Sequence, residues 1–405
     1  MKTKSGTNIG GAGAHNRRVV MQALRLNDDL SRAEIARGTR LVPQTVSNII
    51  EELERDGLVT PSDQVKGKRG QPATPYRISA NGAFALGMQV DRHGAKAVVV
   101  NLLGEIISKS DIAFDEGNLK ENLHHIGSLI GTISKDLRKI APTRKPRIVG
   151  LGVAMPAPTG IHAVKNDPWM IAPRENHPML SSLEEMTGLP VSLHHDASAA
   201  AVAERLNGCA KGIDNFVQIF VSQGLGAGLY MKGELHVGKD NLAGELGQIP
   251  ISIGTEIVPL EQVASLSSLY KLLHLRLNDP KAFARINREV ESQSPLFLEW
   301  VVKTAHHLAW LVDVIECVLD PEFIVVGGQM PQALMQALFV KIVETCNTRK
   351  KLVGIDRSRL LMASPDIFSV AAGAAAYPIA RAFDPSLSAI LKYGYDESHQ
   401  SVVEK

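Results

Sequence analysis

Residues 216–237 read FVQIFVSQGLGAGLYMKGELHV, two β-rich runs separated by the turn Ser222-Gln223-Gly224. Valine, isoleucine and phenylalanine on either side of a glycine-containing turn predict paired antiparallel strands. The stretch 84–114, FALGMQVDRHGAKAVVVNLLGEIISKSDIAF, has the same character and predicts three successive strands with turns at His93-Gly94 and Gly104. A helical pattern, ENLHHIGSLIGTISKDLRKI, and a buried strand, RIVGLGVAMPAP, follow that first hairpin. Behind the second, PEFIVVGGQM supplies another strand with a Gly-Gly end. Two α/β halves, each opening on a hairpin whose turn can cradle phosphate, predict a duplicated two-lobed fold with its ligand in the cleft.

The whole chain sets the outer limits. Its 405 residues, 44% hydrophobic and 21% charged, describe a globular protein of two or three domains with ample core. No apolar run approaches the roughly eighteen residues of a spanning helix, and MKTKSGTNIGGAGAHNRR lacks the apolar centre of a secretory signal, so a cytoplasmic protein is expected. Cys209, Cys317 and Cys346 have no metal-ligand spacing and provide no disulfide framework. The net charge of +2 is uneven: residues 1–80 hold 13 Lys/Arg and 8 Asp/Glu, leaving 31 against 34 in the remainder. A basic front joined to a slightly acidic body is the pattern of a nucleic-acid-binding module attached to a different domain.

The front supports that reading. Val19, Val20, Ala23 and Leu24 form one helical stripe, Ser31 stands three residues before Glu34 as a capping box, and Val46, Ile49, Ile50 and Leu53 form a third helix. Pro43 opens that helix, followed by the short polar side chains Gln44, Thr45, Ser47 and Asn48, at the positions that reach base edges in a helix-turn-helix. Two short strands are expected near Leu58–Thr60 and Pro75–Ile78. The basic loop between them, with Lys66, Lys68 and Arg69, reads either as a wing that touches phosphate or as a solvated linker. The expected DNA contacts are Arg32, Gln44, Thr45, Ser47, Asn48, Lys68 and Arg69. A small helical bundle with no DNA role shares the helical periodicity and stays the alternative.

Further along, LAGELGQIPISIGTEIVPLEQVAS (242–265) places Glu245 between glycines, where backbone can approach a ligand and a carboxylate can accept hydrogen bonds from paired hydroxyls. Together with GLGVAMPAP (150–158), TGLPVSLHHDASAAAVAE (187–204), GLGAGLYMKGELHVGKDNLAGELGQ (224–248) and FIVVGGQ (323–329), it resembles the ROK family over nearly the whole chain. That family unites sugar-responsive repressors with sugar kinases. The resemblance implies an α/β chain: an N-terminal winged helix-turn-helix (1–80), then a two-lobed actin-like, hexokinase-like (ribonuclease H-like) ROK domain (81–405). Lobe one is expected at about 81–197 plus a C-terminal helix at about 370–395, and lobe two at about 198–369.

The resemblance also assigns roles. Asp196 stands where the family's kinases carry their general base, and Asn166, His195, Asp196, Glu245 and Gln248 are the expected sugar contacts. His195 replaces an asparagine and Gln248 a histidine, which implies an altered sugar. The phosphate side departs further. Where the family's hairpins read Asp-x-Gly-Gly-Thr-Lys and Gly-Thr-Gly-x-Gly, this chain has DRHGAKA and SQGLG, placing side chains where bare backbone would meet phosphate. Ser252, Gly254 and Pro259 fall where the family has zinc-binding cysteines, so no metal is expected. The expectation is a non-catalytic domain that binds a sugar or sugar derivative, needs no cofactor, meets double-stranded operator DNA as a homodimer or homotetramer and has no membrane partner. A sugar kinase with an accessory DNA-binding module, and a regulator that no longer senses a ligand, are the alternatives. As a structural alternative, Glu245 caps a turn and Asp196 a helix start.

Overall fold

The computed structural model describes residues 9–27, 29–62, 74–91, 93–114, 119–140, 146–156, 178–276, 279, 281–353 and 359–385. The front forms a head of three helices, α1 (Ile9–Leu26), α2 (Arg32–Thr39) and α3 (Pro43–Arg55), with strands β1 (Leu30–Ser31), β2 (Val59–Pro61) and β3 (Pro75–Ile78). Ser31 accepts the backbone N–H of Glu34 at 3.3 Å while the Glu34 carboxylate accepts the Ser31 N–H at 2.9 Å, so the capping box closes as its spacing predicts. Arg40 ends α2 in the left-handed region (φ 58°), and Pro43 then takes the first turn of α3, where its missing N–H costs nothing. The head's sheet has the order β1-β3-β2. Strand β1 has only two residues, too few to show an alternation in sequence. The loop bearing Lys66, Lys68 and Arg69 lies outside the described residues.

The body contains the duplication. Lobe one is built on β4 (Phe84–Asp91), β5 (Gly94–Asn101), β6 (Ile106–Ala113), α4 (Leu119–Ile140), β7 (Ile148–Met155), α5 (Pro178–Thr187) and β8 (Val191–His195). Helix α6 (Asp196–Asn207) leads into lobe two, with β9 (Phe216–Val221), β10 (Leu225–Met231), β11 (Glu234–Leu235), β12 (Pro250–Ile253), β13 (Glu256–Pro259), α7 (Leu266–Leu272), α8 (Ala282–Glu291), α9 (Pro295–Leu319), β14 (Phe323–Gly328), α10 (Gln332–Val353) and β15 (Leu360–Met362). Helix α11 (Ser369–Phe383) returns to lobe one. The five-stranded sheets run β6-β5-β4-β7-β8 and β11-β10-β9-β14-β15. Numbered within each lobe, both orders are 3-2-1-4-5: an antiparallel three-strand meander, then two strands added in parallel. The apolar stripe of α9 turns Trp300, Val301, Ala305, Leu308, Leu311, Val312 and Ile315 into the lobe-two core.

Helix α11 joins the parts. Gly87 and Gly152 on the lobe-one sheet lie so close to it that a Cβ at either would stand 2.0 Å from the Ala371 carbonyl or 1.9 Å from that of Ala374. On another side, a Cβ at Gly373 would come 1.8 Å from the Ala199 carbonyl of α6. One face of α11 continues toward the head: Ala371, Ala375, Ile379 and Phe383 share one buried cluster with Val20, Met21 and Leu24 of α1, Ile50 and Leu53 of α3, and Val98, Val100 and Leu102 of lobe one. Fully burying a side chain such as Ile379 or Phe383 contributes roughly 1.5–3 kcal/mol. The boundary expected near residue 80 falls in the short turn Ala80–Gly82 between β3 and β4, yet the apolar core runs across it. The expected end of α11 near 395 lies outside the described residues; the described helix ends at Phe383.

A methyl added at Gly152 meets backbone, which cannot rotate away, so Gly152→Ala is expected to lift α11 from the sheet and cost about 1–3 kcal/mol or more. The thermal unfolding midpoint of the full chain reads this, and an unchanged midpoint would contradict the close approach.

Candidate functional site

A cavity of about 980 Å³ opens between the lobes. Lobe one lines it with Asp91 at the end of β4 and His93 in the turn that follows. The junction adds His195 and Asp196, lobe two adds Ser222, Gln223, Glu245 and Gly327–Gln329, and Ser369 and Val370 bring the first turn of α11. The site therefore gathers strand ends and helix starts that are distant in sequence, at the crevice where α/β sheets place their ligands.

Asp196 is the first residue of α6, and its carboxylate accepts the neighbouring Ala197 N–H at 2.7 Å. It is buried, and burial pushes its pKa up to about 7, with the negative fields of Asp91 and Glu245 adding to the rise. His195 precedes it as the helix N-cap residue without a side-chain cap bond, and burial lowers its pKa, which favours the neutral ring. Its Nδ1 stands 3.8 Å from Glu245 Oε1. That gap is longer than a hydrogen bond and suits a bridging hydroxyl. Glu245 makes no side-chain cap bond to the 3₁₀ turn Leu246–Gln248 that follows it. His194 faces away from this work: its ring stacks on Tyr377 of α11 at 3.4 Å and its Nε2 lies 2.8 Å from Ser192 Oγ, with burial lowering its pKa to about 3.

The two hairpin turns meet across the cleft. His93 Nε2 and Gln223 Nε2 are 3.4 Å apart, a hydrogen bond in the tautomer whose His93 nitrogen accepts. Gln223 is fixed from behind, its Oε1 accepting Ser267 Oγ at 2.9 Å and its backbone carbonyl also accepting from the same hydroxyl. One amide in each turn is engaged as well. The His93 N–H donates to Asp91 Oδ1 at 2.7 Å, and the Ser222 N–H to the Gly224 carbonyl at 2.8 Å.

Of the expected sugar contacts, the structure brings His195, Asp196 and Glu245 together at the cavity wall. Gln248 stands behind the wall, donating from Nε2 to Glu261 Oε1 at 3.0 Å, and it is Glu261 that lines the cavity. Asn166 lies outside the described residues. The loop whose cysteines are replaced forms the β12–β13 hairpin, held by the pairs Pro250↔Pro259 through Ile253↔Glu256 and by the Gln248–Glu261 bond. Asp91, Gln223 and Tyr270 were missed as site residues; the turn placed Gln223 at a hairpin tip, but nothing in the sequence shows that His93 faces it.

On the head, Gln44 and Asn48 are exposed one turn apart on α3, with Gln44 Nε2 donating to Asn48 Oδ1 at 3.0 Å, while Thr45 and Ser47 are half-buried. Arg32 is engaged internally, donating to Glu51 Oε1 at 3.2 Å and to the Tyr76 hydroxyl at 3.1 Å, so it ties α2 to α3 and β3. Lys68 and Arg69 lie outside the described residues. Val42, 66% exposed at the N-cap of α3, is an apolar residue that residue-type reasoning passed over; its methyls suit contact with a thymine methyl.

A winged head on two lobes of equal strand order, with carboxylates in the cleft between them, defines a class of two-lobed, hexokinase-like proteins that carry a DNA-binding module. The chain belongs to the ROK family, whose model matches residues 85–377, and a winged helix-turn-helix DNA-binding model matches residues 15–60. It is 22% identical over 334 residues to the DNA-binding transcriptional dual regulator NagC of Escherichia coli, covering 78% of this chain and 80% of that protein. It is 26% identical over 256 residues to the xylose repressor of Caldicellulosiruptor bescii, covering 62% of this chain and 63% of that protein, just under two thirds of the relative's length. Among solved structures, a ROK family transcriptional regulator homologous to the E. coli MLC protein matches with a TM-score of 0.70 at 22% identity, covering 94% of this chain and 98% of that one. A ROK family glucokinase from Streptomyces griseus matches with a TM-score of 0.57 at 21% identity, covering 73% of this chain and 98% of that one.

The raised Asp196 pKa has a stability consequence. The folded protein holds this proton to about pH 7 and the unfolded chain to about pH 3.8, so the group's contribution is fully present below the lower value and is lost as pH rises through the upper one. In urea titrations between about pH 4 and 8, Asp196→Asn is expected to gain stability relative to wild type as pH rises. A difference that does not vary with pH would refute the assignment.

Proposed function

We propose that the protein is a DNA-binding transcriptional regulator, acting as a repressor, whose cleft binds a sugar or sugar derivative. The observation that carries this reading is the path of α11. Its first turn, Ser369 and Val370, lines the cavity, and its last turns, Ile379 and Phe383, lie in the core of the DNA-binding head. A ligand that favours one lobe arrangement therefore acts on a helix that the head is built upon, and its differential affinity for the two arrangements sets the size of the response. Asp196 and Glu245 accept sugar hydroxyls, one of which spans the gap between His195 and Glu245, Asn166 adds a contact, and Gln248 orients Glu261. Gln44, Thr45, Ser47, Asn48 and Val42 face the major groove, with Lys68 and Arg69 on phosphate or in the minor groove and Arg32 holding the recognition helix in place.

A homodimer or homotetramer matches the two-fold symmetry of an operator, and the protein acts in the cytoplasm without a cofactor. No helix among the described residues is long and apolar enough to cross a membrane.

Fluorescence anisotropy of the full chain on DNA from its own upstream region, against unrelated DNA at fixed salt, is expected to show sequence-preferring binding that one member of a sugar panel weakens. Asn48→Ala is expected to cost about 1–3 kcal/mol of specific binding. Glu245→Gln should keep DNA binding and lose the sugar response. Equal, weak binding to both DNAs would count against the reading.

One feature favours the kinase alternative: a buried carboxylate with a pKa of about 7 suits a general base. Phosphoryl transfer also needs a donor held in line, and the His93–Gln223 contact occupies the space between the hairpin turns. An assay coupling ATP consumption to a sugar panel is expected to show no sugar-dependent turnover.

A further inference from the structure

Several of the donors that would meet a phosphate group in this cleft are engaged by the protein itself. A phosphate is ordinarily held by backbone N–H groups of a glycine-rich turn, by a helix N-terminus, or by arginine and lysine. Of the amides in the two turns, that of His93 is taken by the Asp91 carboxylate and that of Ser222 by the Gly224 carbonyl, while the His93 and Gln223 side chains are joined to each other across the gap. At the start of α6, the Ala197 N–H is taken by Asp196.

The charge of the wall agrees. Among the described residues, the cavity is lined by carboxylates that include Asp91, Asp196, Glu245, Asp279 and Asp366, against one lysine, Lys96, and no arginine. Lys96 lies directly across the β5–β6 ladder from a further lining carboxylate, Asp111. An incoming phosphate would thus meet a wall in which carboxylates outnumber cations and turn amides that are already engaged, whereas hydroxyls and ammonium groups would meet acceptors.

We propose that the cleft selects a sugar without phosphate, neutral or bearing an amine, and that Asp91, His93 and Gln223 are the residues that exclude the phosphorylated form. This rests on the sensor reading above and narrows its ligand class.

The test uses the full chain and isothermal titration with matched pairs: glucose, mannose, N-acetylglucosamine and glucosamine, and xylose and fructose, each beside its phosphate ester. For any sugar that binds, the ester is expected to bind at least tenfold more weakly. The Asp91→Asn and His93→Gly/Gln223→Thr variants are each expected to narrow that ratio, a change that general loss of folding would not produce. An ester that binds as tightly as its parent sugar, or more tightly, overturns the proposal and leaves the sensor reading standing. A ratio unmoved in both folded variants overturns the assignment of the three residues. A panel in which no sugar, amine or ester binds overturns the sensor reading itself and the proposal with it.

Discussion

The close approach of α11 to its neighbours is the constraint on which the rest of the molecule depends. At Gly87, Gly152 and Gly373 backbone meets backbone with no room for a methyl group, so this helix is set closely against the lobe-one sheet and against α6. Interiors packed to this density respond to displacement by changing arrangement, not by continuous deformation. Because the same helix begins at the cleft and ends in the core of the head, its position is shared by both. The small residues that permit this contact, Ala154, Ala197, Ala199, Ala200 and Ala374, form a buried cluster with Phe220 and Val370 at the junction of the lobes.

The cleft itself carries an electrostatic imbalance. Burial raises the Asp196 pKa to about 7, and the negative fields of Asp91 and Glu245 add to the rise, so Asp196 holds its proton close to neutrality. Such a cluster costs stability in its ionised form and gains from a ligand that brings hydroxyl donors, since these replace the water that burial removed. The neutral His195 contributes polarity without compensating that charge. Across the gap, the His93–Gln223 contact joins the tips of two hairpins that the duplicated topology sets face to face.

The front of the chain shows how one head is assembled from local and distant signals. The Ser31–Glu34 capping box and Pro43 set where α2 and α3 begin, with no help from the body. Arg32 then spans to Glu51 and Tyr76, holding the recognition helix against the strand beside the basic loop. Beneath them the core is continuous with lobe one, so the head has no apolar interior separate from the body.

The sequence by itself determined what depends on local periodicity and local chemistry: the three helices of the head, the two β-hairpins and the duplication of the lobes, while Glu245 stood out by its flanking glycines and Asp196 by the resemblance to the ROK family. These were legible because capping boxes, turn residues and the alternation of apolar side chains act over a few neighbouring positions. Tertiary structure decided the rest. It brought Gln223 to His93 from 130 residues away, set Gln248 behind Glu261 and not on the cavity wall, paired Arg32 with Glu51 and Tyr76, and ran α11 from cleft to head. Each of these depends on which surfaces meet after the lobes close on one another, and that is a property of packing between distant segments that no local pattern encodes.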